Sequence, residues 1–161
     1  MVVTGVADRI PERIRLLVYL DAFVPEDGQA QLDLMPEAFS DVILGAAEEQ
    51  GDQKIPYPPE MHPPEGVIPD KVRKSYLSRT RPHPVAAVTE PIRLSGAVNS
   101  LPRAFVHCTD VDPDSDLMGP FAAQARAEGW HYRELATAHD LHLLDPDGAT
   151  AVLDELAASV A

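Results

Sequence analysis

Three residues in this 161-residue chain have the types and settings for chemistry: Asp21, Asp112 and His139. An imidazole held at one nitrogen by a carboxylate can take a proton at the other, which is the general-base half of nucleophilic catalysis. Asp112 has Asp110 and Asp116 close behind it, and these acids equally fit a solvated loop. Asp21 also fits an anchor for the turn at Pro25, and His139 also fits a plain loop histidine. His139 and His142 have H-x-x-H spacing, but a metal centre needs three or four converging ligands. No C-x-x-C, H-E-x-x-H or acidic cage accompanies them, so neither a metal nor a cofactor is expected. Cys108 reads as a buried strand thiol.

The elements around these residues must bring them together. Ile14 to Phe23 is a near-continuous apolar run, the mark of a strand buried on both faces in a parallel sheet. Val2, Val3, Val6 and Ala7 before it are spaced like one face of a short helix closed at Ile10-Pro11. From Gln29 to Glu49, Leu32, Met35, Phe39, Val42, Ile43 and Ala46 form a helical stripe that Pro36 should break or kink. Residues 56 to 69 hold six prolines and read as a stiff extended loop, followed by a basic helix-like piece with Lys71, Arg73, Lys74, Arg79 and Arg81. The α/β rhythm then returns. Arg103 to Thr109 and Trp130 to Leu135 are strands, and Phe121 to Glu128 is a helix with Gly129 as its stop. Asp145-Pro146-Asp147 opens a final helix.

Functional residues of open parallel sheets sit beyond the carboxyl ends of the strands, where Asp21, Asp112 and His139 all fall. The segments YLDAFVPEDG, RAFVHCTDVD and ELATAHDLHLLDP, followed by a closing helix, resemble the α/β-hydrolase superfamily. The closest branch holds small-ester carboxylesterases, plant methylesterases and hydroxynitrile lyases. The resemblance implies an α/β fold: the later half of an α/β-hydrolase, a mostly parallel sheet with flanking helices and an inserted helical, Pro-rich cap. It divides the chain into 1–24 (helix and first core strand), 25–90 (cap or lid) and 91–161 (core strands and helices carrying the acid and histidine loops). It implies His139 as catalytic base, with Asp112 preferred over Asp21 as the acid because T-D-x-D matches the hydroxynitrile-lyase-like pattern. Met35, Phe39 and Tyr57, together with Leu34 and Met61, would line an apolar acyl pocket, or form the inserted segment's own core.

The family's nucleophile lies in a G-x-S-x-G elbow. None of Ser40, Ser75, Ser78, Ser95, Ser100, Ser115 and Ser159 has that context, and Ser95 comes nearest with one flanking glycine. The resemblance therefore implies part of a serine esterase-like hydrolase of small carboxylic esters, inactive alone. The alternative is a truncated, non-catalytic hydrolase-fold binding protein. The Leu16–Leu20 strand would have an open edge, which a homodimer or a missing N-terminal half would cover. Thirteen Lys and Arg against 26 Asp and Glu leave a formal charge of −13, which argues against nucleic acid or anionic membrane as partner. The single cysteine, the lack of a long apolar run and the absence of a signal-peptide pattern lead to the expectation of a cytoplasmic protein.

Overall fold

The computed structural model describes residues 1–51, 53–57, 63 and 65–160. In chain order the elements are α1 (Val2–Arg9), β1 (Leu17–Leu20), α2 (Glu37–Gln50), β2 (Lys54–Ile55), α3 (Asp70–Leu77), β3 (His83–Pro84), α4 (Ala86–Thr89), β4 (Arg103–Cys108), α5 (Gly119–Ala127), β5 (His131–Leu135), α6 (Leu141–Leu144) and α7 (Pro146–Ala158). They fall into two compact units, residues 1–29 with 91–161, and residues 30–90. Among the described residues no helix is long and apolar enough to cross a membrane.

The first unit is built on a parallel three-stranded sheet in the order β1-β4-β5. Alternation along the strands sends Leu17, Tyr19 and Phe105 to one face, where Ala7, Val98, Met118, Ala122 and Ala125 close a core from α1, the 97–100 turn and α5. Ala104 and Val106 face the other way, onto Val152 and Leu156 of α7. Both faces are thus covered, as an unalternated apolar strand requires. The caps follow the local chemistry. Asp145 accepts the Gly148 amide at the head of α7 with Pro146 behind it. Gly129, at φ 72°, ends α5 in a left-handed turn with the Trp130 amide returning to the Ala125 carbonyl.

Helix α1 reverses the simple reading of its valines. Val2, Val3 and Val6 are exposed, while Thr4, Gly5, Ala7 and Asp8 are buried. The polar pair is satisfied: Thr4 Oγ1 meets the Tyr19 hydroxyl at 3.1 Å. Asp8 accepts the amides of Ser95, Gly96 and Val98 at 2.6, 3.1 and 3.0 Å. These backbone hydrogen bonds, with the Ser95 and Val98 amides foremost, hold the Asp8 carboxyl below its ordinary value.

In the second unit the apolar stripe starts later than the sequence suggests. Leu32–Leu34 is a 3-10 turn, and Pro36 sits at the N-cap of α2 instead of kinking it. A proline has no amide to leave unsatisfied there. Ala47, Ile68 and Val88 are buried, and β2 and β3 pair antiparallel.

Candidate active site

Asp21 is the first residue after β1, and His139 lies in the loop between β5 and α6. Strand β4 separates β1 from β5, so the two side chains must meet across its end. They do: Asp21 Oδ2 stands 2.7 Å from His139 Nδ1. The other carboxylate oxygen accepts the amide of Cys108, the last residue of β4, at 2.9 Å. Asp21's own amide donates to the Val106 carbonyl at 2.7 Å, so the residue is tied to β4 by backbone and side chain together. Its φ is +46°, a left-handed conformation that costs a non-glycine residue about 1–3 kcal/mol where the surroundings impose it.

Burial differs sharply between the partners. The Asp21 side chain is 6% exposed and that of His139 is 64% exposed. The hydrogen bond to Asp21 raises the His139 pKa above its usual value against an opposing burial effect, with the charges of Asp21 and Asp140 adding to the rise. In the neutral imidazole, Nδ1–H donates to the carboxylate and Nε2 carries the free lone pair. No described residue hydrogen-bonds Nε2. The arrangement can accept a proton there and stabilise the resulting charge.

Asp112 is used elsewhere. Its carboxylate accepts the Asp114 amide at 3.0 Å and caps the Pro113–Ser115 turn, and the residue is exposed. Four residues past the end of β4 the chain has already turned away, so the histidine's partner is Asp21 and not the preferred Asp112. Asp21 does not anchor the Pro25 turn. Ser95 belongs to the loop held by Asp8. Cys108 is buried, and burial, then the Asp21 charge, pushes its thiol up to about 12. Met35, Phe39 and Tyr57 lie in the 30–90 unit: Met35 is half-buried, Phe39 is 49% exposed, and the Tyr57 hydroxyl meets that of Tyr76 at 3.1 Å. Met61 lies outside the described residues. A cleft of about 370 Å³, lined by Glu26, Asp27, Asn99, Arg103 and Glu128 among others, includes neither Asp21 nor His139.

A second acid–histidine contact was missed in the sequence. His107 Nε2 lies 2.9 Å from Asp116 Oδ2, and Nδ1 lies 3.2 Å from the Tyr132 hydroxyl. The alternation of β4 puts His107 on the Phe105 side, which was the available signal.

The geometry can be set beside known proteins. No family model matches the chain. The carbendazim hydrolyzing esterase of Nocardioides sp. (strain SG-4G) is 32% identical over 155 residues, covering 88% of this chain and 60% of that protein. An extracellular α/β-hydrolase from a Paenibacillus species, described as sharing structural and functional homology with tobacco salicylic acid binding protein 2, superposes with a TM-score of 0.76 at 18% identity over 96% of this chain. The chain folds as the later part of an α/β-hydrolase. Tomato methylketone synthase I complexed with 2-tridecanone (TM-score 0.72, 15% identity, 99% of this chain) and polyneuridine aldehyde esterase (0.63, 17%, 95%) have the same fold. This chain spans 66%, 67% and 66% of those three solved chains.

Proposed function

We propose that this chain is the acid- and base-bearing part of a serine hydrolase of small carboxylic esters, with His139 as general base and Asp21 as the acid that orients it. The observation that carries this is the 2.7 Å contact from a buried carboxylate to the Nδ1 of an exposed imidazole whose Nε2 is engaged by none of the described residues. The likeness to an esterase over 155 residues supports the reaction class.

The chain's own serines lack the elbow context, so this reading assigns the nucleophile to a segment outside these 161 residues, on the same polypeptide or a partner. That serine's hydroxyl attacks the ester carbonyl and gives its proton to His139 Nε2. The imidazolium, held by Asp21, passes the proton to the departing alcohol. Water then attacks the acyl-enzyme by the same route in reverse, releasing the acid. No cofactor enters. The inserted segment, residues 25–90, would serve as the cap, and Met35, Phe39 and Tyr57 are its candidates for binding the acyl group.

The segment that brings the serine would cover the free side of β1. Leu17 and Asp21 donate their amides to β4, so by strand alternation Val18 and Leu20 direct theirs to the open edge. The exposed valines of α1 would be covered with it. The lone buried thiol fits a reducing, cytoplasmic setting.

The test is the intact mass of the protein from its native source, followed by turnover of a short-chain activated ester. A mass well above 17.5 kDa, with turnover abolished by His139→Ala, is expected. A mass of 17.5 kDa, with no turnover and no gain on adding an elbow-bearing segment, would favour the non-catalytic binding protein instead. Sedimentation would then show whether a second copy covers the edge.

A further inference from the structure

The end of β4 presents two residues to opposite purposes. The amide of Cys108 holds the carboxylate of Asp21. The side chain of His107, immediately before it, is fixed from both sides on the other face. Its Nε2 meets Asp116 Oδ2 at 2.9 Å, and Asp116 Oδ1 accepts the amides of Met118 and Gly119 at 3.0 and 2.8 Å at the head of α5. Its Nδ1 lies 3.2 Å from the Tyr132 hydroxyl on β5. That hydroxyl also receives Arg126 Nη2 of α5 at 2.6 Å and stands 3.1 Å from Glu134 Oε1. The histidine and Asp116 side chains are 12% and 17% exposed, so water competes little for these bonds.

We infer that the Asp116–His107–Tyr132 network is a brace whose task is to position the Cys108 amide, and through it Asp21, against His139. His107 is thus a positioning residue for the base, which rests on the reading of Asp21 and His139 given above. The need for a brace comes from the backbone. Asp21 sits at φ +46°, which it keeps only where neighbouring groups impose it. The groups that impose it are the Val106 carbonyl and the Cys108 amide, the residues on either side of His107. A carboxylate accepts and does not donate, so Nε2 carries the proton in its bond to Asp116, and the single Tyr132 hydroxyl proton lies between Glu134 Oε1 and Nδ1. The ring therefore links α5, β4 and β5 at the one place where the strand end must not shift.

The experiment follows two signals in this chain by NMR: the titration midpoint of the His139 ring, and hydrogen exchange at the Cys108 and Phe105 amides. In His107→Gln and in Tyr132→Phe the Cys108 amide should exchange faster by about fivefold, the equivalent of one lost hydrogen bond, while Phe105 holds its rate. The His139 midpoint should fall back toward its ordinary value. Two variants are used so that a failure of His107→Gln to fold leaves Tyr132→Phe as the test. If both amides speed up together, or neither changes and the His139 midpoint stays in place, the brace is overturned. Asp21→Asn separates the two readings. A midpoint that does not move in Asp21→Asn overturns the acid–base pair. A midpoint that moves there but not in the brace variants overturns the brace alone.

Discussion

Asp21 and His139 follow strands that are not neighbours, yet Oδ2 and Nδ1 are 2.7 Å apart. With strands about 4.8 Å apart, the pair bridges roughly 10 Å of sheet, and the Cys108 amide of the intervening strand fills the gap. The pair makes stability depend on pH. The folded-state pKa of His139 is raised, so its contribution is fully present below the unfolded value of 6.5 and is lost as pH rises through the higher folded value. Asp21→Asn should remove that dependence and lower the His139 midpoint. Asparagine accepts a left-handed backbone, so the change removes the charge and one acceptor oxygen without disturbing the turn. Urea midpoints across pH 5 to about 9, beside NMR titration, check it. A variant that keeps the wild-type slope would contradict the assignment.

Asp112 supplies the complementary expectation. Its carboxylate caps a local turn, so Asp112→Ala should cost about 1 kcal/mol in stability and leave the His139 midpoint unchanged. NMR titration of the variant decides between the two acids. A midpoint that fell with Asp112 and not with Asp21 would restore the order suggested by the T-D-x-D pattern.

These two acids show where sequence reasoning reached and where it stopped. The apolar runs around Leu17–Leu20 and Arg103–Cys108 gave the parallel sheet because burial on both faces leaves a composition that can be read locally. The cap at Asp145-Pro146 was legible for the same reason: its hydrogen bond closes within three residues. The choice of acid was not local. Asp21 reaches His139 over 118 residues of sequence and is held by an amide 87 residues away, and neither distance leaves a pattern in the chain. Likewise α1 has valines at helical spacing. Which side faces inward was decided by Thr4 and Asp8 finding partners at Tyr19 and at residues 95–98. A buried polar side that is fully hydrogen-bonded can displace an apolar one.

Leu156 tests the packing of α7 on β4. It is fully buried beside Ala104, Val106 and Val152, so Leu156→Ala should cost about 2–5 kcal/mol through lost burial and the cavity left behind. Leu153 on the same helix is 37% exposed, and its change to alanine should stay within about 0.5–1 kcal/mol. Equilibrium urea unfolding of the two variants measures the difference. Equal losses would mean that α7 does not pack in this register.

Asp8 tests the polar side of α1. Its three amide bonds lower its pKa below 3.8, so by linkage its contribution is present above that value and is lost as pH falls through the lower folded value. Asparagine has the same shape but one acceptor oxygen in place of two, and its NH2 group faces amides that also donate. Asp8→Asn should therefore melt at a lower temperature than wild type at neutral pH. The gap should narrow as the pH falls below 3.8, because the wild-type carboxyl then gains a proton and loses the same bonds. Thermal melts of both proteins at neutral and acidic pH measure this. A gap that stayed constant with pH would mean that shape alone, and not the charge of Asp8, holds the 95–98 loop against α1.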